Sequence, residues 1–227
     1  MANNMTNSEK YELLRQIKEE IVNLKDSPLY KERIKNRAFP VIGEGSHDAK
    51  VVFVGEGPGK NEAETGRPFC GAAGDILTEL VESISLRRED VYITNIIKDR
   101  PPNNRDPLPS EIRTYAPFLD RQIEIIQPKI IATLGRYSMA YIMQKFKLLW
   151  ELKPISQIHG KVFDAEAWWY GDINPVKSAS QSEAVSGTVR QFDRVKIVTL
   201  YHPAVALYQN SLKQQMFEDF KILKNFL

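Results

Sequence analysis

Apolar residues along the chain recur with two different spacings, and each spacing predicts its own element. Leu13, Leu14, Ile17, Ile21 and Leu24 share one helical face behind Thr6-Asn7-Ser8-Glu9, which has the spacing of a capping box. This predicts a helix over about 8–25, ended by Pro28, with a loop at Gly43-Glu44-Gly45-Ser46. Val51-Val52-Phe53-Val54 is different: a short unbroken apolar run that stops at Gly55, as expected of a strand buried on both faces of a parallel sheet. Val91–Thr94, Lys129–Thr133 and Lys196–Leu200 repeat that run. Between them, Ile76, Leu77, Leu80, Val81 and Ile84 form a helical stripe. Further helices are predicted from about Ser110, with a kink at Pro117, after Gly135, and over 211–226. Residues 177–188 have no apolar period and read as surface loop, inside an insertion expected to be flexible over about 164–195.

Strands alternating with helices define an α/β fold. The expectation is one domain over 1–227, with three α/β/α layers around a mainly parallel four-stranded sheet. Ligands of such sheets bind at the carboxyl ends of the strands. Gly55-Glu56, Asn95, Gly135 and His202 each follow a strand end, so their loops are expected to converge on one cleft.

Composition narrows the chemistry. The 227 residues are 42% hydrophobic and 26% charged, which is ordinary globular usage. Lys+Arg is 31 against Asp+Glu 29, a net charge of +2, so bulk charge announces no nucleic-acid partner, although a local basic groove is compatible with it. One cysteine, Cys70, excludes an intrachain disulfide, a four-cysteine zinc site and an all-cysteine iron–sulfur cluster. Three histidines, His47, His159 and His202, argue against a His-rich metal centre. No apolar run approaches the ~20 residues that span a bilayer, and the polar start lacks a signal-peptide core. A soluble cytoplasmic protein is expected.

Four stretches carry candidate chemistry. Gly55-Glu56-Gly57-Pro58-Gly59-Lys60 suggests a phosphate loop, but the glycine spacing is one residue short of a P-loop, and Asn61 stands where a hydroxyl would bind Mg²⁺. The plainer reading is a tight turn that uses Gly57 and Gly59 for positive φ, which leaves the carboxylate of Glu56 at the sheet's mouth unexplained. In Gly66-Arg67-Pro68-Phe69-Cys70-Gly71-Ala72-Ala73-Gly74, Phe69 is either a stacking platform or a loop aromatic plugging the core. Asn95 is either a turn residue or an amide that reads a base edge. In Tyr201-His202-Pro203-Ala204, the histidine sits at a strand end beside a proline that stiffens the turn.

In their order and loop placement, these stretches together resemble the uracil-DNA glycosylase superfamily, family 4 in particular, from about residue 10 to the C-terminus. The resemblance implies a glycosylase-like α/β/α fold and an enzyme that flips uracil out of DNA and hydrolyses its N-glycosidic bond. It implies that Phe69 stacks on uracil, Asn95 bonds its polar edge against cytosine, and Glu62 crowds C5 against thymine. It implies that His202 donates to O2 as charge develops there, and that Glu56 stabilises the sugar cation or orients water. The backbone of Gly55 and Gly57 would add donors, and Lys60, Arg100 and Arg105 would contact phosphates. The implied partner is uracil-containing DNA, single- or double-stranded, bound by a nucleoid-associated monomer.

The chain also departs from the family. Family 4 members hold an iron–sulfur cluster on four cysteines, two in a Cys-x-x-Cys-Pro-Leu segment. The matching positions here are Leu24, Ser27, Asp99 and Tyr115. No cluster and no other cofactor is expected, with apolar packing by Leu24 and Tyr115 in its place. Tyr208 replaces an arginine common in the His-Pro loop, and the segment between Gly160 and Lys196 is longer than the usual hairpin. Arg100–Arg105 lacks the histidine of relatives that trap DNA covalently, so turnover is expected. Two alternatives stay open: a degenerate, non-catalytic DNA-binding member, and a nucleotide- or phosphate-binding enzyme built on Gly55–Lys60.

Overall fold

In a computed structural model, the chain is described over residues 5–170 and 190–227. The first helix, α1 (Asn7–Val22), starts where the capping box requires. Thr6 Oγ1 accepts the Glu9 amide, and the Glu9 carboxylate takes the Thr6 amide at 2.7 Å. It is followed by α2 (Tyr30–Lys35), β1 (Glu44–Gly45), β2 (Val51–Gly55), α3 (Lys60–Thr65), α4 (Ala72–Ser83) and β3 (Tyr92–Asn95). Then come α5 (Pro109–Ile126), β4 (Ile130–Leu134), α6 (Arg136–Lys145), α7 (Ile155–Ile158), β5 (Lys161–Tyr170), β6 (Arg190–Leu200) and α8 (Asn210–Lys221). Pro117 lies inside α5 without ending it.

The sheet has six strands in the order β1-β3-β2-β4-β6-β5, not the four expected. The central four, β3, β2, β4 and β6, are the apolar runs, and they pair in parallel. The two additional strands are antiparallel edges. β1 is a two-residue pairing inside the expected loop, too short to leave a pattern. β5 does carry one: Ala165, Ala167 and Trp169 alternate and are buried, while the flanking Asp164 and the intervening Glu166 face out. Residues 164–170 and 190–195, inside the expected insertion, pair as a regular antiparallel ladder. The loop reading of 177–188 lies outside the described residues.

Two apolar layers cover the sheet. Leu14, Ile17, Leu119, Ile123 and Ile142 of α1, α5 and α6 pack on one face. Leu77, Leu80, Met216 and Phe220 of α4 and α8 pack on the other. The chain leaves β2 towards the α4 face and leaves β4 towards the α6 face. The crevice between those strand ends is a topological switch point, where open α/β sheets place their ligands. Among the described residues, no helix is long and apolar enough to cross a membrane.

Candidate active site

The loops after β2, β3 and β6 meet as expected. Glu56, Asn95 and His202 line one cavity of about 550 Å³, together with Glu62, Phe69 and Tyr208. That volume lies in the range of small-molecule sites.

Glu56 spans the switch point. Its Oε1 accepts the Tyr137 backbone N–H at 2.9 Å, in the first turn of α6. Gly135, at φ +105°, makes this approach possible, because a Cβ there would stand 2.4 Å from Glu56 Oε1. Burial raises the Glu56 pKa, while the amides of Tyr137 and Arg136 and the Arg136 charge act the other way. The helix N-terminus thus keeps a desolvated carboxylate usable as an anion.

Asn95 ends β3, buried, and its Oδ1 has no hydrogen-bond partner. A buried orphan acceptor costs stability and calls for a donor. The Asn95 amide and the Phe69 ring both crowd Gly55: a Cβ there would lie 2.3 Å from Asn95 Oδ1 and 2.8 Å from the ring. Gly55 is therefore glycine for space. Phe69 is 6% exposed and has φ +49°, a left-handed conformation unfavourable for an aromatic residue. The ring packs into the core, the plainer of the two readings, and also forms a cavity wall.

His202 is the N-cap of a short 3-10 turn, Pro203–Leu207. Its Nδ1 accepts the Ala204 amide at 3.2 Å. Burial pushes its pKa down to about 4. The ring is thus neutral at physiological pH, and with Nδ1 accepting, the proton sits on Nε2. Its ring lies 5.6 Å from that of Phe69.

Other expected residues fall differently. Neither Gly57 nor Gly59 has positive φ, which corrects the turn reading. What they supply is room: a Cβ on Gly57 would meet Ile97 at 2.7 Å, and one on Gly59 the Glu62 carboxylate at 2.7 Å. Lys60 is exposed at the cavity mouth. Arg100 bonds Asn104 Oδ1 at 2.7 Å, and Arg105 is clamped to the buried Glu111 at 2.5 and 2.9 Å. The Arg105 charge is thereby already committed within the protein.

Sequence reading missed three contributors. Tyr137 supplies the amide under Glu56, and its hydroxyl bonds Asp106 at 2.9 Å. Asp106 also pairs with Arg136 at 2.5 Å, which ties the Pro-rich loop to α6. Lys98, fully buried, donates to Asn95 O at 2.8 Å, Thr94 Oγ1 at 2.7 Å and Gln122 Oε1 at 2.6 Å, so it fixes the end of β3.

The four positions matching cluster cysteines carry no thiolate. Ser27, Asp99 and Tyr115 converge in space, but as a hydrogen-bonded group: Tyr115 Oη donates to Asp99 Oδ2 at 2.5 Å and is also bonded to Ser27 Oγ. Leu24 and the Tyr115 ring pack in the apolar core as expected, and the polar group adds hydrogen bonds to that packing; the residues do not fit an iron–sulfur cluster. Cys70 lies elsewhere, its Sγ 3.2 Å from Thr65 Oγ1. Among the described residues, no group of three or more His, Cys, Asp or Glu side chains is arranged to hold a metal ion.

The fold is a doubly wound α/β sheet whose switch-point cavity is lined by an unpartnered amide oxygen, an aromatic ring, a histidine and a carboxylate. The comparisons specify which family. The model of the uracil DNA glycosylase superfamily matches residues 42–221. The chain is 40% identical to a type-4 uracil-DNA glycosylase of Archaeoglobus fulgidus, covering 92% of this chain and 91% of the relative. It is 41% identical to the type-4 enzyme of Sulfurisphaera tokodaii over 93% and 83%, and 36% identical to that of Thermotoga maritima over 95% of each. The chain belongs to the uracil-DNA glycosylase superfamily.

Proposed function

We propose that the protein is a monofunctional glycosylase that excises uracil from DNA and leaves an abasic site. The observation that carries this reading is the pairing, in one cavity, of the orphan acceptor of Asn95 with the neutral donor of His202. Uracil offers a matching N3–H donor and O2 acceptor.

The flipped base stacks on Phe69 and donates N3–H to Asn95 Oδ1. Cytosine has no N3–H and leaves that oxygen orphaned, a penalty of ~1–3 kcal/mol. Glu62 lies beside C5 and excludes the thymine methyl. The bond between C1′ and N1 breaks with its electron pair moving onto the base. Negative charge gathers at O2, where His202 Nε2–H receives it without reorganisation. Glu56 stabilises the sugar cation and orients the water that attacks C1′, taking up its proton. Lys60 and Arg100 steer phosphate at the mouth, with Arg105 able to join only by leaving Glu111. The reading takes the substrate as uracil-containing DNA, single- or double-stranded, and the protein as a monomer at the cytoplasmic nucleoid.

The test is incubation with a uracil-containing oligonucleotide followed by alkali. Strand cleavage at the uracil, lost in His202→Ala and Asn95→Ala, is the expected result. Intact strands with folded protein overturn the reading.

A further inference from the structure

We propose that Arg33, Asp99, Tyr115 and Ser27 form an iron-free internal clamp that stands at the family's cluster position and holds the Arg100–Arg105 side of the base pocket. The four side chains are buried, at 5%, 1%, 0% and 6% exposure. They join segments far apart in sequence: the turn after α1, α2, the loop leaving β3, and α5.

The donor order follows from the acceptors. Asp99 is acceptor-only as a carboxylate, so Tyr115 Oη donates to it. Ser27 therefore donates to Tyr115, and Ser27 Oγ in turn accepts the Leu29 amide at 3.1 Å. Arg33 Nη1 closes the chain on Asp99 at 3.3 Å. Arg33 also donates to Ile21 O at 3.0 Å, an oxygen it shares with the Leu24 amide, and to Val22 O at 2.7 Å, both in the last turn of α1. Its cation thus sits at the negative end of a helix, 5.1 Å over the Tyr30 ring. Burial raises the Asp99 pKa, and the Tyr115 bond and Arg33 oppose it. Each member of the chain has a partner, which is the condition under which a buried polar network fixes one arrangement.

The clamp reaches the pocket through the backbone. Asp99 directly precedes Arg100 and Pro101, and Pro101, Asn104 and Arg105 line the cavity. Four residues before Asp99 stands Asn95. Holding Asp99 thus fixes the course of the chain between the base-reading amide and the cavity wall, the work otherwise given to a metal-linked loop.

The experiment combines metal analysis of the wild type with Ser27→Ala, Tyr115→Phe and Asp99→Asn. The wild type, after anaerobic incubation with ferrous iron and sulfide and desalting, is expected to be colourless and to keep full uracil release in chelator. Hydrogen exchange at 99–105 should quicken in the order Ser27→Ala, Tyr115→Phe, Asp99→Asn. In Tyr115→Phe, KM for uracil-DNA should rise by about tenfold with kcat within about twofold, the sign of lost binding geometry with chemistry intact. Stoichiometric iron with absorbance near ~400 nm overturns the proposal. So does unchanged exchange at 99–105 in Tyr115→Phe, which keeps the ring volume and remains informative if Asp99→Asn fails to fold. The proposal takes base binding from the function above, but iron content and exchange are read without glycosylase activity, so the two fail separately.

Discussion

The Ala204 amide donates to Nδ1 of His202, and in a ring that burial keeps neutral this bond leaves the proton on Nε2. With its pKa pushed down to about 4, the ring does not titrate near neutrality. Replacing it by alanine should lower kcat by about 10²–10³-fold, the usual cost of one preorganised donor to a developing anion. His202→Gln, which keeps an N–H donor, should lose less. Single-turnover rates on a uracil oligonucleotide check both.

On the proposed mechanism, Glu56 sets the acid limb of the pH profile. Its pKa is raised by burial, so it protonates at a higher pH than an ordinary carboxylate of about 4.3. Activity requires the anion, and so it should fall as pH drops through this raised value, with no second break near 6.5 from histidine. Glu56→Gln should remove the limb along with most of the rate. Single-turnover pH–rate profiles of the two proteins decide this.

Asn95 trades stability for recognition. Its orphan Oδ1 is a buried, unsatisfied acceptor in the free protein. Asn95→Leu, similar in shape, should match or exceed the wild-type Tm, by a gain of up to ~1–3 kcal/mol, while uracil release is lost. Calorimetry and the release assay on one sample separate the two effects.

Lys98 should show the opposite balance. Lys98→Met strips donors from Thr94, Asn95 and Gln122 and should cost roughly 1–3 kcal/mol at pH 7. Urea unfolding of the two proteins at pH 7 checks this.

The parts of this structure that were legible from sequence are those with a local signature. Val51–Val54 and its three counterparts announced the parallel core because strands buried on both faces tolerate few polar residues. The motif order brought Glu56, Asn95 and His202 to strand ends and Phe69 to the loop between α3 and α4, and all four line one cavity. β5 carries its own signature, the buried alternation of Ala165, Ala167 and Trp169. Lys98, Tyr137 and Arg33 were not legible, because each acts through partners remote in sequence. Lys98 bonds Gln122, the Tyr137 amide bonds Glu56, and Arg33 bonds Asp99. Spacing along a chain does not report such contacts.

The central claim is that the cavity at the switch point removes uracil from DNA. Its most direct test is quantifying free base released from oligonucleotides that differ only in carrying uracil, cytosine or thymine at one position. The account predicts uracil released with turnover from the first, and no base from the other two. Release of cytosine or thymine at a comparable rate, or no release of uracil by folded protein, would contradict it.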